Sequence, residues 1–138
     1  MSVIVDTSVW SLALRRRLDK RDKPKQELIA LIDEDRVVML GVIRQELLSG
    51  VRSSQQFRTL RDRLRAFPDV EVDHIDYENA ASCFNECRAK GVQGSNTDFL
   101  LCALALRRDL AIFTTGGDFP HYGRVLGIKL HEVRSEIG

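Results

Sequence analysis

The sequence predicts an α/β protein: a three-layer α/β/α arrangement with a mainly parallel sheet of four to five strands. Short runs rich in Val and Ile alternate along the chain with longer segments whose apolar residues recur every three or four positions. This alternation is typical of a parallel sheet covered by helices. The short runs are apolar throughout, which indicates strands buried on both faces. At 138 residues, we expect one domain over 1–138.

The first strand is predicted at 3–5, because this β-branched run is too short for a helix. It stops at Asp6, and Thr7 and Ser8 then supply an N-cap for a helix over 8–17. Asp6 therefore stands at the carboxyl end of a strand, where ligands of open α/β sheets bind. Two interpretations of Asp6 stay open at this point, a helix cap and a chemically active group.

The next elements follow from Pro and Gly punctuation. Pro24 stands where a first helical residue often does, after a charged linker at 18–23, and predicts a helix ending near Asp35. A buried strand is expected at 37–40, broken by Gly41. Two further helices are expected, one between Gly41 and Gly50 and one over 53–67 that Pro68 ends.

The second half is predicted to contain three strands separated by helices. Val70 and Val72 indicate a third strand that extends to Ile75. The other expected elements are a helix at 77–90, a helix at 98–108 capped by Asn96 or Thr97, a strand at 110–113, a short helix within 119–127 and a strand at 128–133. The helix at 98–108 is almost wholly apolar, so we expect it to pack on the sheet on more than one side.

Composition narrows the classes of function. The formal net charge is +1, so any basic surface for nucleic acid must be local. The longest apolar runs are too short to cross a membrane and no signal segment opens the chain, so we expect a cytoplasmic protein. Three cysteines, an odd number, fit that compartment. Cys83 and Cys87 are predicted to be small buried hydrophobes, because no further Cys or His lies at a matching metal-ligand spacing.

Four carboxylates each follow a strand end or open a helix. They are Asp6, Glu46, Asp98 and Asp118. In a parallel sheet such positions converge on one edge. Gathered carboxylates repel unless a divalent cation offsets their charge, and oxygen ligands without Cys or His suit Mg²⁺ or Mn²⁺. Such a site acts on a phosphodiester. Singly, Glu46 could instead pair with Arg44 or Arg52, and Asp98 could simply start its helix.

Basic residues offer a second set of candidates. Arg58, Arg61 and Arg65 recur on one helix face, and Arg15, Arg16 and Arg17 form a run. Such a stripe is either a solvated face or a contact for RNA phosphates. The three histidines are scattered, and we assign no catalytic role to them: His74, His121 and His131.

Four motifs carry a resemblance to a known family. They are VIVDTSVW at 3–10, IRQELLSG at 43–50, NTDFLLCALAL at 96–106 and IFTTGGDF at 112–119. In this order and at this chain length, the sequence resembles PIN-domain ribonucleases, and specifically the VapC-type toxins of bacterial toxin–antitoxin modules. The resemblance covers nearly the whole chain and implies a PIN-like fold.

The resemblance also implies a function. It implies a Mg²⁺- or Mn²⁺-dependent endoribonuclease that cleaves structured RNA, such as tRNA or rRNA loops, through a water molecule that the metal activates. Asp6, Glu46 and Asp98 would form the acidic core, and Thr7, Ser8 and Thr114 would support it through their hydroxyls. The implied partners are a VapB-type antitoxin and a second copy of the chain in a homodimer.

One position departs from the family pattern. Family members often carry an Asp two positions before the Asp of the DF pair, and here that position is Gly116. Either Asp118 takes the fourth place through a shifted loop, or the site has three acidic ligands and holds a second metal more weakly.

Two other functions compete with the nuclease. The missing acid at Gly116 leaves open a catalytically weak PIN-like module that binds RNA or protein. A phosphatase of the haloacid dehalogenase type would use Asp6 as nucleophile, but that chemistry usually needs a second Asp two residues later, where Ser8 stands.

Overall fold

The computed structural model describes residues 1–14 and 22–134, and in these residues the chain forms four strands and seven helices. The strands are β1 (Val3–Val5), β2 (Val37–Val38), β3 (Ala111–Phe113) and β4 (Lys129–Leu130). The helices are α1 (Thr7–Ala13), α2 (Lys23–Asp33), α3 (Gly41–Leu48), α4 (Ser54–Leu64), α5 (His74–Ala89), α6 (Asn96–Arg108) and α7 (Phe119–Leu126).

All four strands are parallel, in the order β2-β1-β3-β4. Val5 is in register with Phe113, so β1 and β3 end side by side. The helices form two groups, in which α1 contacts α2 and α3, and α5 contacts α6 and α7. The predicted three-layer α/β/α fold is confirmed. Because β1 and β3 end together, residues that follow these strands lie at one edge of the sheet.

The core is built on the two central strands. Every residue of β1 and β3 is buried, and so are the seven consecutive residues of α6 from Phe99 to Ala105. The nearly continuous apolar run of α6 is therefore confirmed as a helix packed on more than one side. All three cysteines are buried and free, and burial raises the pKa of the Cys102 thiol, so they are inert, small apolar residues.

The predicted third strand at Val70–Ile75 is wrong. Only a single parallel bridge joins Met39 to Asp69 in this region. The reason lies in Asp73 and Asp76, whose side chains each accept a hydrogen bond from the other's backbone N–H. This capping box starts α5 at His74, three residues before the predicted start, and so Ile75 is helical.

Two predicted caps are also wrong. Thr7 and Ser8 are the first residues of α1 rather than its cap, because Asp6 occupies the N-cap position. Ser95, not Asn96 or Thr97, caps α6 by accepting a hydrogen bond from the Asp98 N–H.

The first helix is described only to Ala13, and the predicted arginine run at 15–17 lies outside the described residues. None of the described helices combines the length and the apolar character that a membrane crossing requires.

Candidate active site

Asp6 lies directly after β1, at the edge that β1 and β3 share. Its N–H donates to the Phe113 carbonyl across the sheet, over 2.8 Å. Ser8 Oγ and Thr114 Oγ1 each donate to Oδ2 of Asp6, both at 2.9 Å. Asp6 stands at the N-cap position of α1, yet its side chain accepts no hydrogen bond from the backbone of that helix. The cap interpretation is therefore wrong for its side chain, and the supporting hydroxyls of Ser8 and Thr114 lie where the sequence predicts.

Glu46 is joined to the same edge through Thr7. The hydroxyl of Thr7 donates to Oε2 of Glu46 at 2.6 Å, which ties the start of α1 to α3. Arg44, the alternative partner of Glu46, instead forms an ion pair with Asp69 at 2.8 Å. Since Thr7 is the neighbour of Asp6 in the chain, this hydrogen bond places Glu46 beside the Asp6 segment.

Asp98 lies in the first turn of α6 and is half-buried. The Tyr122 hydroxyl donates to its Oδ2 at 2.7 Å. Burial raises the pKa of Asp98, and the negative charges of Asp6 and Asp118 raise it further, against the lowering effect of the Tyr122 hydrogen bond. Asp6 and Asp118 therefore lie close enough to Asp98 to act on it electrostatically.

Asp118 is the exposed residue that precedes α7. Its side chain accepts no hydrogen bond from the first turn of that described helix. Its charge contributes to the raised pKa of both Asp98 and Tyr122. Asp118 thus belongs to the same electrostatic group as Asp6 and Asp98, at its exposed margin.

Several carboxylates elsewhere in the described chain are paired with basic side chains. Such ion pairs join Glu27 and Glu34 to Arg134, Asp69 to Arg44, Asp73 and Asp76 to Arg107, and Asp109 to Lys129. None of the four site acids forms such a pair within residues 1–14 and 22–134. Neutral hydroxyls orient Asp6, Glu46 and Asp98 instead, and so their negative charge is left uncompensated.

The buried carboxylate of Glu27 illustrates the contrast. Burial favours a higher pKa for Glu27, but hydrogen bonds from Arg134 and His131 lower its pKa overall. Its Oε2 lies 2.7 Å from Nε2 of His131. This is a structural ion-pair cluster that joins α2 to the segment after β4, and His131 belongs to it. This cluster could not be predicted from the sequence, because its members are distant in the chain.

The loop after β3 closes over Asp6. The Thr115 N–H donates to Ser8 Oγ at 3.2 Å, and the Gly116 N–H donates to Thr114 Oγ1 at 3.0 Å. A Cβ atom added at Gly116 would lie 3.5 Å from Thr114 Oγ1, an ordinary contact distance. The loop therefore has room for a side chain at the position where the family often carries an Asp.

The donor set has the chemistry that a hard divalent cation needs. Asp6, Glu46 and Asp98 supply carboxylate oxygens with uncompensated charge, and each has one oxygen held by a hydroxyl. As they stand, however, no three Asp, Glu, His or Cys side chains of the described chain are grouped as a metal site. Binding one ion between them requires side-chain movement.

The arginines of the basic stripe on α4 form local ion pairs or are exposed. On α4, Arg61 pairs with Asp62 at 3.1 Å, and Arg65, which caps the helix, lies 3.8 Å from the same carboxylate. Arg58 is exposed on that helix. Among the described residues, no ion pair joins the stripe to the site acids.

Tyr122 is a site residue that the sequence did not reveal. Its position three residues after Phe119 fits the apolar face of α7, and this spacing could have been interpreted only as core packing. Gly94 lies against it: a Cβ atom there would approach Cζ and Cε1 of Tyr122 to 2.7 and 2.8 Å. Gly94 therefore allows the close approach that sets the Tyr122 ring beside Asp98.

Comparisons with known proteins agree with this arrangement. Ribonuclease VapC11 of Mycobacterium tuberculosis is 28% identical over 136 residues, covering 96% of this chain and 99% of the relative. A VapC ribonuclease of Mycobacterium bovis matches to the same extent.

Two solved structures share the fold. FitAcB from Neisseria gonorrhoeae superposes with a TM-score of 0.75 at 18% identity, covering 94% of this chain and 96% of that one. VapBC2 from Rickettsia felis, bound to a DNA fragment from its promoter, gives a TM-score of 0.75 at 16% identity, with coverage of 95% and 98%. The sequence profile of the PIN domain matches residues 3–125, most of the chain, and the protein therefore belongs to the PIN domain family.

Proposed function

We propose that this PIN-domain protein is a metal-dependent endoribonuclease and the toxin of a toxin–antitoxin pair. The observation that carries the proposal is the group of carboxylates at the shared end of β1 and β3, oriented by hydroxyls and left without basic partners in the described chain. The names of the curated relatives, ribonucleases of the VapC type, support the same activity. The proposed substrate is structured cellular RNA, such as a tRNA or rRNA loop.

The proposed cofactor is Mg²⁺ or Mn²⁺, held by Asp6, Asp98 and Glu46. Asp118 is proposed as a fourth ligand, in place of the acid absent at Gly116. When bound, a divalent cation of this kind neutralises phosphate charge and lowers the pKa of a water nucleophile. It would also offset the repulsion from Asp6 and Asp118, which adds to the effect of burial in raising the pKa of Asp98.

The supporting residues would hold the carboxylates in place for that ion. Ser8 and Thr114 direct their hydroxyls at Oδ2 of Asp6, so Oδ1 is the oxygen available to a ligand. Thr7 does the same for Glu46 through Oε2. Because a hydroxyl donor carries no net charge, it fixes the orientation without weakening the attraction for a cation.

The RNA would be held by basic residues outside the acidic group. We assign this part to Arg58, Arg61 and Arg65 on α4, together with Arg15, Arg16 and Arg17, which lie outside the described residues. Phosphate contacts of this kind make binding salt-sensitive. Loss of one such arginine would therefore reduce the salt dependence.

The proposed partners follow from the family. The solved structures with this fold include a toxin–antitoxin complex from Klebsiella pneumoniae, VapBC2 of Rickettsia felis and VapBC-1 of Haemophilus influenzae. For this chain we propose a VapB-type antitoxin as the neutralising partner, a homodimeric toxin and a cytoplasmic location. A single PIN-like domain over residues 1–138 would account for all of these functions.

A second function has its own support. The absent acid at Gly116 and the ungrouped carboxylates favour a PIN-like module that binds RNA or protein and cleaves weakly or not at all. The same experiment separates the two functions.

The test is cleavage of total cellular RNA by the purified protein with Mg²⁺ or Mn²⁺, and with EDTA. We expect discrete fragments that disappear with EDTA and in Asp6→Asn. Asp33→Asn, an equal change at the exposed end of α2, should cleave like the wild type. If Asp118 is a ligand, Asp118→Asn should lose about 10- to 100-fold in activity. Fragments that persist in EDTA and in Asp6→Asn would contradict the nuclease, and RNA binding without cleavage would favour the binding module.

A further inference from the structure

A cavity of about 170 Å³ lies between the end of α5 and the start of α6. It is lined by Phe84, Arg88, Val92, Gln93, Gly94 and Phe99. Two aromatic rings, one cation and one amide thus line a small space. None of these residues was a candidate in the sequence, because the lining comes from two helices and the turn between them.

The lining combines the groups that bind an unstacked nucleobase. Phe84 and Phe99 meet edge to face with centroids 5.5 Å apart. The Arg88 guanidinium lies 5.5 Å from the centre of the Phe84 ring. Arg88 is exposed and forms no ion pair with any described residue, so its charge is free for a ligand. Aromatic rings and guanidinium planes are the surfaces on which proteins stack the bases of single-stranded RNA.

The cavity adjoins the acidic site through shared residues. Phe99 follows Asp98 in α6, and its ring packs on Tyr122 with centroids 4.9 Å apart. Gly94 lies against the same Tyr122 ring, whose hydroxyl donates to Asp98. The cavity and the carboxylate of Asp98 are therefore linked through three residues. Phe99 and Gly94 line the cavity, and both contact Tyr122, which holds Asp98.

We propose that this cavity binds one unpaired nucleobase of the RNA substrate, from a nucleotide close to the cleaved phosphate. Phe84 and Arg88 provide the stacking surface, Gln93 provides an amide for the edge of the base, and the charge of Arg88 complements the phosphate of that nucleotide. The inference rests on the proposed ribonuclease function and adds a determinant of substrate choice. An RNA loop with an unstacked base would be preferred over a continuous duplex.

The test compares two fluorescein-labelled single-stranded RNAs of about 12 nucleotides, within the site sizes of single-strand binders. One carries bases throughout and the other is an abasic sugar–phosphate chain. Binding is measured by fluorescence anisotropy in EDTA, so that it does not depend on cleavage. The proteins are the wild type, Phe84→Leu, Arg88→Gln and the control Arg63→Gln. The control removes the same charge from an exposed position on α4.

We expect Phe84→Leu and Arg88→Gln each to weaken binding of the base-bearing RNA by about five- to tenfold, the usual size of one stacking contact. Abasic RNA should bind Phe84→Leu like the wild type, and Arg63→Gln should not distinguish the two RNAs. Wild-type affinity for base-bearing RNA in both variants would overturn the proposal, and so would an equal loss of affinity for the two RNAs in Phe84→Leu. If these variants instead lost affinity for an antitoxin alone, the cavity would be a protein-docking site and the proposal would be wrong.

Failure of this inference is distinguishable from failure of the nuclease. The wild type could cleave RNA with Mn²⁺ while both variants bind the RNAs like the wild type. That result would support the nuclease and contradict the base-binding site. Base-dependent binding by a protein that never cleaves keeps the base site and removes the nuclease.

Discussion

The hydroxyl of Tyr122 donates a 2.7 Å hydrogen bond to Oδ2 of Asp98. Tyr122 is buried, and its ring packs against Phe99 and Phe119 with centroids 4.9 and 5.1 Å away. Burial and the contact with Asp98 raise the pKa of the phenol, so it stays a protonated donor. A rigid aromatic residue thus holds one oxygen of a proposed metal ligand, and its other oxygen is left for the ion.

Replacing Tyr122 with Phe tests this positioning. Tyr122→Phe removes the donor and keeps the packed ring, so Asp98 loses its orientation. We expect about a 10- to 100-fold loss of cleavage or of metal affinity, as for other groups that orient metal ligands. The measurement is the initial cleavage rate as a function of Mn²⁺ concentration, which should show a higher half-saturating concentration.

Tyr77→Phe is the matched control, because Tyr77 is exposed on α5 and loses the same hydroxyl. It should cleave like the wild type. A Tyr122→Phe protein with unchanged rate and unchanged Mn²⁺ dependence would show that the phenol has no positioning role.

The raised pKa of Asp98 predicts a pH-dependent stability. A carboxyl whose pKa is higher in the folded chain binds its proton more tightly there, so the free energy of unfolding falls as pH rises from its ordinary value of 3.8 through the raised value. Asp98→Asn lacks this titration. We would measure urea unfolding in EDTA over a pH series. The free energy of unfolding of Asp98→Asn should rise relative to that of the wild type through this pH range, and the difference should persist at neutral pH.

Bound Mn²⁺ should stabilise the wild type more than Asp98→Asn, the opposite of the difference in EDTA. An ion that binds only the folded protein adds about 2.7 kcal/mol at a hundred times its Kd. Mn²⁺ at neutral pH should raise the unfolding midpoint of the wild type by more than that of Asp98→Asn, which binds the ion at least tenfold more weakly. Equal pH profiles in EDTA for the two proteins would contradict a raised pKa of Asp98 in the folded chain.

Gly116→Asp tests the departure from the family pattern. The added Cβ meets only an ordinary contact with Thr114, so the variant should fold. One more carboxylate beside Asp6 should strengthen metal binding, and we expect the half-saturating Mn²⁺ concentration for cleavage to fall by about tenfold, or roughly 1.4 kcal/mol. Gly116→Asn is the control, since it has the same size without the charge. Identical Mn²⁺ dependence in the two variants would show that position 116 does not face the ion.

The fold was predictable from sequence where a pattern was local and uninterrupted. The predictions were correct for the buried strands at 3–5 and 111–113 and for the apolar helix α6. These elements are buried on several sides, so their sequences are almost entirely apolar. The predicted strand at 70–75 was wrong. Its two valines favour a strand, but the capping box of Asp73 and Asp76 starts a helix within this segment. Side-chain hydrogen bonds of this kind compete with β-propensity and are hard to weigh in advance.

The acids of the candidate site were predictable, but their support was only partly so. Asp6 and Asp98 follow or open elements whose place at the sheet edge is fixed by topology. The hydroxyls of Thr7, Ser8 and Thr114 stand next to strand ends and could be proposed from that. Tyr122 and Gly94 could not, because their contact joins two segments whose proximity follows from the packing of α7 on α5 and α6.

Counting bound Mn²⁺ tests the central claim most directly. The signal of free Mn²⁺ in electron paramagnetic resonance gives the bound fraction without any need for RNA or turnover. We expect binding by the wild type and by Asp33→Asn, and at least tenfold weaker binding by Asp6→Asn, Glu46→Gln and Asp98→Asn, because removing even a group that only orients a metal ligand costs about tenfold or more. Wild-type binding in all three site variants, or none in the wild type, would contradict a metal site at this edge of the sheet.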